Sequence, residues 1–361
     1  MSDKKPVRLG LIGCGHIAQA HLNSLLQVHH AGLVPVELIA CCDREIERAE
    51  LFRRNYGFQC SCTDFRPVLE DASLDAVYVC SPTRDHMEPV LLAAELKRPL
   101  FCEKPLGRDL AEVERMVKAV EASRIPAQLG LVLRFSPVYQ VMRSLLEEPG
   151  GGRPMAAVFR DDQYFPIGGS YGSSWRGNRE VVGSGTLLEH SIHDVDLLRW
   201  FFGEVTRVRA RVDYFSGREG VEDQAVLLLE FANGARATLT SLWHQMLGRE
   251  SNRNLEIFLE RRYVGSAHDF MGSIDTQGAT GEGRVLNRRQ VDVLHRRILG
   301  KQAPPGKLAH NPYLLENLAF LRALQAGKKP FPDFASGLAA HRVVEAAYRS
   351  AREDAPVPVS G

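Results

Sequence analysis

The sequence predicts an α/β protein with two domains, a doubly wound parallel sheet followed by an α+β domain with an open, mostly antiparallel sheet. Apolar segments alternate with helical segments through the first third of the chain, which is typical of a parallel sheet. Strand-like segments without regular helices follow. The 361 residues also exceed the ~100–200 of one domain. We place the boundary near Ile125-Pro126, giving domains 1–126 and 127–361.

The N-terminal strands are short, nearly continuous apolar runs that end at glycine or polar residues, and helical patterns lie between them. Such runs indicate strands that are buried on both faces of a parallel sheet. Asp109, with Glu112 three residues later, predicts the start of a further helix. The predicted strands are 7–12, 36–42, 75–80, 99–102 and 127–133, and the first helices are 17–30 and 45–55.

The C-terminal domain has strand patterns and few turn signals. Asn233-Gly234 predicts a hairpin turn between two of the strands. The segment 265–283 is rich in Gly, Ser and Thr and is interpreted as a mobile loop. One face of the sheet is expected to form a homodimer or homotetramer contact. The predicted strands are 156–160, 207–214, 224–231, 236–243 and 254–259, and the closing helices are 311–326 and 337–352.

Composition excludes several classes of protein. Lys and Arg number 45 and Asp and Glu 44, so the net charge of +1 argues against a nucleic-acid or membrane-surface binder. No apolar run reaches the ~18–20 residues of a membrane span, and we find no signal peptide. All seven cysteines lie between Cys14 and Cys102, which favours reduced thiols over a disulfide framework. We therefore expect a cytoplasmic protein with a small-molecule partner.

A glycine-rich loop follows the first strand and predicts a dinucleotide site. Gly13-Cys14-Gly15-His16-Ile17-Ala18 matches the G-x-G-x-x-G/A pattern of a Rossmann domain. The glycines permit a tight turn and let the backbone approach a pyrophosphate. The N-terminus of the next helix then offers N–H groups and partial positive charge.

Asp43, at the end of the second strand, is the candidate ligand for the adenosine ribose hydroxyls. A carboxylate there would repel a 2′-phosphate, so it favours NAD over NADP. It lies further from the glycines than the usual ~20 residues, which a small insertion at 29–35 explains. Arg44 leaves NADP open, because its guanidinium could pair with a 2′-phosphate. Asp43 could equally cap the following helix.

Two further motifs stand at the carboxyl ends of parallel strands, where ligands bind in open α/β sheets. The first is Ser81-Pro82 with His86, which could also be a turn and a helix start. The second is Glu103-Lys104-Pro105, whose lysine can hydrogen-bond a substrate hydroxyl. Gln128, on the next strand, is a candidate contact with the nicotinamide.

The segment 183–196 contains the candidate acid/base. If it is helical from about Thr186, Glu189 and His193 lie one turn apart, and the carboxylate can orient the imidazole. An amphipathic core helix is the plainer interpretation. A metal site formed by Glu189, His190 and His193 is another, although no HExxH or Cys motif supports it, and we expect no metal.

In their order these motifs resemble the Gfo/Idh/MocA oxidoreductases. The resemblance runs from Val7 to about Ser350 and also includes the stretch 130–137, with Gly130 and Arg134. It implies a nicotinamide cofactor and a sugar, inositol or related cyclic polyol as substrate. It also implies that Lys104 is the active-site lysine and His193 the acid/base histidine.

This chain departs from the family pattern beside that histidine. Glu189 stands where inositol dehydrogenase-like members usually have Asp, and His190-Ser191 replaces an apolar residue and Gly. We interpret this as a subgroup with its own substrate. Candidate substrate contacts are Arg134, Tyr164, Trp175, Arg176, His190 and His244.

The resulting hypothesis is an NAD(P)-dependent dehydrogenase that acts on CH–OH groups. His193 would take the hydroxyl proton while a hydride moves to the nicotinamide, and Lys104 would hydrogen-bond the reacting oxygen. Two alternatives remain. One is a dinucleotide-binding sensor or regulator without turnover, which the presence of Lys104, Glu189 and His193 disfavours. The other is a glycoside-cleaving enzyme that uses transient oxidation by tightly held NAD.

Overall fold

The computed structural model describes residues 5–168, 172–246 and 248–359. The chain forms two compact units, one of residues 1–131 with 313–338 and the other of 132–312 with 339–361. This division differs from the predicted boundary at 126 in two ways. Residues 127–129 add the last strand to the first sheet, and residues 313–338 return to the first unit. Both differences come from long-range packing rather than from local pattern.

The first unit contains a six-stranded parallel sheet in the order β3-β2-β1-β4-β5-β6. This order reverses at β1 and β4, as in a doubly wound Rossmann sheet, and confirms the predicted fold class. The strands are β1 (Val7–Ile12), β2 (Val36–Cys42), β3 (Cys60–Cys62), β4 (Ala76–Val79), β5 (Leu100–Cys102) and β6 (Ala127–Leu129), and the helices are α1 (His16–His30), α2 (Ile46–Tyr56), α3 (Arg66–Glu70), α4 (Met87–Glu95) and α5 (Leu110–Ser123).

Local signals account for several element ends. Asp109 caps α5 by accepting a hydrogen bond from the Glu112 N–H at 2.9 Å, as predicted. The Glu112 carboxylate accepts from the Arg108 N–H at 2.9 Å, one residue before the position expected in a capping box. The predicted strand 127–133 ends at Leu129.

The described residues of the second unit form a nine-stranded sheet, and among these strands only β7 and β10 pair in parallel. Buried and exposed residues alternate along β9 and β10, because one face of the sheet packs on the core. The elements before α11 are α6 (Pro137–Glu147), β7 (Pro154–Tyr164), α7 (Arg179–Val182), α8 (Thr186–Glu189), α9 (Ile192–Phe202), β8 (Val205–Asp213), β9 (Gln224–Phe231), β10 (Arg236–His244), β11 (Asn252–Leu259), β12 (Arg262–Ser266), β13 (Ile274–Gly278), β14 (Gly283–Leu286) and α10 (Arg288–Leu299).

The chain closes with α11 (Pro312–Gln325), α12 (Phe334–Glu353) and β15 (Val357–Pro358). The hairpin at Asn233-Gly234 is confirmed: Gly234 has a φ of +89° and its N–H donates to the Phe231 carbonyl at 2.9 Å. Within the described residues, no helix is long and apolar enough to cross a membrane.

Two predictions about local structure are wrong. The segment 265–283 contains the end of β12, all of β13 and the first residue of β14, because Thr276 and Gly278 pair with β12 as part of the sheet. The segment from Thr186 is two helices, since α8 ends at Glu189 and α9 begins at Ile192. Glu189 and His193 therefore do not share one continuous helix face.

Candidate functional site

The glycine loop of the first unit has the geometry that a pyrophosphate requires. Gly13 has a φ of +93°, and a Cβ on it would lie 2.5 Å from the Ser81 nitrogen. Gly15 precedes α1 in an extended conformation and provides no capping side chain, and a Cβ on it would meet open space. The α1 N-terminus, with exposed His16 and half-buried Ile17, thus presents its backbone to a ligand. This cradle fits a dinucleotide.

The end of β2 places Asp43 beside this loop. Asp43 Oδ2 accepts from the Cys14 N–H at 2.8 Å, and Oδ1 accepts from the Glu45 N–H at 3.0 Å. Both bonds fix the orientation of the carboxylate, and its contact with a ribose stays a prediction. The exposed guanidinium of Arg44 lies 3.2 Å from Asp85 Oδ2. This ion pair competes with any 2′-phosphate for Arg44, which favours NAD.

His86 joins the ends of β4 and β5. It is buried, with Nε2 2.8 Å from the Ser81 carbonyl oxygen and Nδ1 3.0 Å from that of Pro105. Ser81 Oγ donates to the Asp85 carbonyl at 3.1 Å, which closes the turn that begins with Pro82. The side chain of His86 is thus occupied by the two turns that it connects, and its contact with cofactor stays a prediction.

The Glu103-Lys104-Pro105 turn is held from beneath. Glu103 is buried; its Oε1 lies 2.7 Å from His21 Nε2 and its Oε2 accepts from the Lys104 N–H at 3.1 Å. A Cβ at Gly130 would lie 2.6 Å from Glu103 Oε1, so a larger residue there would displace this carboxylate from its partners. Lys104 itself is half-buried. The buried contacts of Glu103 therefore fix the backbone of the turn at Lys104.

Gln128 is fully buried and donates from Nε2 to the Glu316 carbonyl at 3.2 Å. Burial first, and then the nearby Glu103 carboxylate, raise the pKa of Glu316 well above its ordinary value. His21 Nδ1 also lies 3.2 Å from Asn317 Oδ1. His21, Glu316 and Asn317 were not found from sequence, because their partners come from distant parts of the chain. The nicotinamide contact of Gln128 stays a prediction.

In the second unit, Glu189 is almost fully buried and pairs with Arg176. Glu189 Oε2 lies 3.4 Å from Arg176 Nε, and the guanidinium lies 4.8 Å from the centre of the Trp175 ring. Arg176 and Trp175 are half-buried. The break between α8 and α9 falls between Glu189 and His193, and the predicted pairing of these two residues stays a prediction.

A buried charge network lies around the start of α9. Arg253 Nε donates to Asp194 Oδ1 at 2.6 Å, Nη1 donates to Asp269 Oδ2 at 2.8 Å, and Nη2 lies 3.5 Å from Asp161 Oδ2. His190 Nε2 lies 2.7 Å from Arg253 Nη2 and 3.3 Å from Asp161 Oδ1. The imidazole of His190 is therefore oriented by two buried groups.

The two carboxylates nearest Arg253 differ in their ionisation. Burial alone would raise the pKa of Asp161, but Arg253 and His190 outweigh it and hold that pKa well below its usual range. Burial and the Asp161 charge raise the pKa of Asp194 well above its ordinary value. The network thus holds one firmly ionised carboxylate beside His190.

Arg134 is buried and forms a bidentate ion pair with Asp196, at 2.7 and 2.6 Å. Its guanidinium thereby fixes α9 from the interior of the unit. A contact of Arg134 with substrate stays a prediction.

Tyr164 and His244 are paired residues at the ends of β7 and β10, and both are half-buried. His244 Nδ1 accepts from the Met246 N–H at 3.2 Å. His244 Nε2 is buried and has no hydrogen-bond partner among the described residues. Because paired residues point to the same face, these two side chains form one polar patch.

Sequence reasoning missed Asp161, Asp194 and Arg253. The available signal was period-2 alternation: Asp161 shares its strand face with buried Ala157 and Phe159, and Arg253 shares its face with Leu255. A charge on a core face indicates a buried network. Within residues 5–168, 172–246 and 248–359, no three His, Cys, Asp or Glu side chains are arranged to hold a metal ion.

Two family models match the chain. The family model described as an oxidoreductase family with an NAD-binding Rossmann fold matches residues 7–130. The model described as a GFO/IDH/MocA C-terminal domain matches residues 139–264.

Relatives with assigned names cover much of the chain. The chain is 29% identical to the myo-inositol 2-dehydrogenase of Thermotoga maritima, and the match covers 70% of this chain and 72% of that protein. It is 25% identical to the inositol 2-dehydrogenase of Rhizobium meliloti over 98% and 99%. A crystal structure of an oxidoreductase domain protein from Kribbella flavida has the same fold, with a TM-score of 0.85, 24% identity and coverage of 99% and 100%.

Proposed function

The chain belongs to the Gfo/Idh/MocA oxidoreductase family, and on that premise we propose that it transfers a hydride between NAD and a hydroxyl carbon of a sugar, inositol or related cyclic polyol. The proposal rests mainly on one observation: the second unit holds the histidine-bearing start of α9 with a buried network centred on Arg253. The two inositol dehydrogenases among its relatives support the substrate class.

Each proposed catalytic group has a defined task. Bound NAD supplies the two-electron hydride chemistry. His193 takes the proton of the reacting hydroxyl at an imidazole nitrogen, and Lys104 donates a hydrogen bond from Nζ to the reacting oxygen as negative charge develops. Glu189, whose carboxylate is held by Arg176, supports the positive charge that forms on His193.

The residues that hold the cofactor are proposed from the first unit. The backbone of the loop from Gly13 to Ile17 receives the pyrophosphate, and Asp43 accepts from the ribose hydroxyls. The turns at Ser81-Pro82 and Glu103-Lys104, with His86 and Gln128 behind them, shape the nicotinamide end. Because Asp43 is anionic and Arg44 pairs with Asp85, NAD is the proposed physiological form.

Substrate recognition is proposed for polar side chains of the second unit. Tyr164 and His244 form a polar patch at paired strand ends, and Arg176 and His190 are half-buried and oriented by carboxylates. Hydroxyl-rich rings need several such donors and acceptors. Trp175, under the Arg176 guanidinium, offers an apolar ring face for sugar C–H groups.

The first test measures NADH binding to the purified protein through the change in tryptophan fluorescence. Oxidation of a panel of inositols, sugars and a levoglucosan-type anhydrosugar is then followed as NADH formation. We expect His193→Asn and Lys104→Met to lower kcat about 10²–10⁴-fold, and NADH binding to be kept in His193→Asn. His310→Asn is the matched control, since His310 pairs with Asp292 on the half-exposed surface.

Two outcomes would overturn this proposal. Binding of NADH with no turnover of any member of the panel would favour a sensor. Tightly retained NAD, with glycoside cleavage and no net NADH formation, would favour the glycoside-cleaving alternative.

A homo-oligomeric assembly through the second sheet is part of the same proposal. Leu228, Thr238 and Val158 are register partners across three strands, and Leu228 and Val158 are exposed apolar residues on the same face. Val226 and Phe258 are further exposed apolar residues of this sheet. Sedimentation of the wild type and of Leu228→Glu tests it, with a shift to monomer expected.

We also propose a cytoplasmic location, in keeping with seven free cysteines.

A further inference from the structure

Five of the seven cysteines are clustered at the first three strands of the first unit, and all are free thiols. Four of them are neighbours in two pairs, Cys14 with Cys41 and Cys42 with Cys62. The Cys14 thiol donates to the Cys42 carbonyl at 3.6 Å, and the Cys62 thiol donates to the Asp64 carbonyl at 3.1 Å. The fifth, Cys60, is exposed and contacts the Ile39 carbonyl. The dehydrogenase reaction proposed above uses none of these thiols.

Cys42 and Cys62 meet the geometric requirement for a disulfide. They are register partners on the neighbouring parallel strands β2 and β3. Paired residues point to the same face of a sheet, and neighbouring strands lie ~4.8 Å apart. That spacing is inside the ~4.4–6.8 Å between Cα atoms that disulfides span. Both side chains also pack in the same apolar cluster.

The two thiols of this pair differ in exposure and acidity. Cys42 is buried, whereas Cys62 is half-buried. The neighbouring Cys42 thiol lowers the pKa of the Cys62 thiol, and the Cys62 thiol, together with burial, raises the pKa of Cys42. An accessible thiol of lowered pKa beside a second thiol is the arrangement of redox-responsive cysteines. The Cys14–Cys41 pair lacks an accessible member, because both are buried.

The pair adjoins the residue that we assign to the ribose. The Asp43 N–H donates to the Cys62 carbonyl at 3.2 Å, and the Cys42 carbonyl accepts from the Gly13 N–H at 2.8 Å. Disulfides most often span about 5.5–6 Å between Cα atoms, so a covalent bond between the two side chains would push the ends of β2 and β3 apart from their ~4.8 Å spacing. Asp43 and the glycine loop, which hydrogen-bond to these same backbones, would have to shift with them.

We propose that Cys42 and Cys62 form a reversible redox pair that weakens binding of the dinucleotide when oxidised by a peroxide. The Cys62 thiolate attacks a peroxide oxygen, the O–O bond breaks, and Cys62 sulfenic acid and hydroxide form. The Cys42 sulfur then displaces the sulfenic hydroxyl, which leaves with a proton as water. One S–S bond forms, two thiols are oxidised, and peroxide is reduced to water. A thiol reductant reverses the step.

The disulfide is tested on the full-length protein with hydrogen peroxide. We expect an intact mass lower by about 2 Da and a peptide map that links Cys42 to Cys62. Cys62→Ser should abolish the link, and Cys60→Ser, two residues away and exposed, should retain it. A link through Cys60 or between Cys14 and Cys41, or oxygen addition at Cys62 without a link, would overturn the proposal.

The consequence for the cofactor is measured separately, by NADH binding before oxidation, after it, and after dithiothreitol. Oxidation should weaken binding about tenfold, because the charged Asp43 contact is displaced, and dithiothreitol should restore it. Unchanged affinity of the linked protein would overturn the regulatory half. The proposed effect on the cofactor rests on the proposed NAD site. If the reduced protein does not bind NADH, the NAD site is wrong, and this outcome is distinct from a failure of the redox proposal.

Discussion

The guanidinium of Arg253 donates to the carboxylate of Asp194 across 2.6 Å in the interior of the second unit. Asp194 directly follows His193, so this contact fixes the first turn of α9, on which the proposed acid/base lies. Arg253, Asp161 and Asp194, at the centre of the network, are buried and cannot exchange their partners with water, so the geometry of this centre is correspondingly rigid. The position of His193 thus depends on a residue sixty positions further along the chain.

Replacement of Arg253 by methionine should strongly destabilise the second unit. The change leaves Asp161 without its buried cation, and removing one partner of a buried pair costs about 3–5 kcal/mol. Urea unfolding followed by far-UV circular dichroism measures the loss. Arg153→Met is the control, because its pair with Glu260 is exposed to solvent and contributes little to stability. Equal losses for both variants would contradict a structural role of the network.

Asp43→Ser should shift the cofactor preference towards NADP. The serine removes both the ribose acceptor and the charge that repels a 2′-phosphate, while Arg44 remains. We expect the ratio of NADH to NADPH affinity to fall at least about tenfold. Fluorescence titration with both cofactors measures it. Asp64→Ser, on the exposed surface, should leave the ratio unchanged. An unaltered ratio in Asp43→Ser would show that Asp43 does not contact the ribose.

His295 should make stability depend on pH. It is fully buried; Nε2 lies 3.2 Å from Gln140 Oε1, and Nδ1 has no hydrogen-bond partner among the described residues. Burial lowers the pKa of His295 to about 4. The unfolded chain therefore binds a proton below about pH 6.5 that the folded protein binds only below about 4. The contribution of the neutral imidazole to the free energy of unfolding is complete above pH 6.5 and is lost as the pH falls to about 4.

The loss over this range should be about 3 kcal/mol in the free energy of unfolding. Urea unfolding at several pH values between 4 and 7.5 measures it. His295→Gln should flatten the dependence, whereas His30→Gln at the exposed end of α1 should not. The same slope in His295→Gln and in the wild type would assign the pH dependence to other groups.

Glu189→Asp should lower turnover even though it keeps the charge. The shorter side chain withdraws the carboxylate by about one C–C bond from Arg176, and the present separation is already 3.4 Å. We expect kcat to fall about tenfold while NADH affinity is kept. Steady-state kinetics with the best substrate of the panel measure it. Glu180→Asp, on the exposed start of α7, is the matched control. Full activity of Glu189→Asp would mean that the Arg176 contact is not used.

Local pattern was sufficient for most strands of the first unit and for the turn after β1, but it did not find β3 (Cys60–Cys62) or α3 (Arg66–Glu70). Gly13, Gly15 and Asp109 are read correctly because a turn or a cap depends on residues within one helical turn. Period-2 alternation likewise located most strands of the second sheet, since side-chain direction in a strand is a local property. Local pattern was not sufficient for the segment 265–283. Its small residues indicated a loop, but part of it forms strands because it pairs with neighbouring strands of the sheet.

The groups that surround the candidate chemistry were decided by tertiary structure. His21 and Glu103 are 82 residues apart in sequence, and Asp161 and Arg253 are 92 apart. The strength of these two contacts depends on the burial of the side chains, and burial by distant residues cannot be recognised from a short segment of sequence. The break between Glu189 and His193 is of the same kind. Ser191 Oγ there lies 2.6 Å from both Asp161 Oδ2 and Ser241 Oγ, so partners on two strands contact the chain where one helix was expected. Local pattern therefore determines where strands, helices and turns form, whereas the orientation of ionisable side chains depends on partners that only the folded chain brings within hydrogen-bond distance.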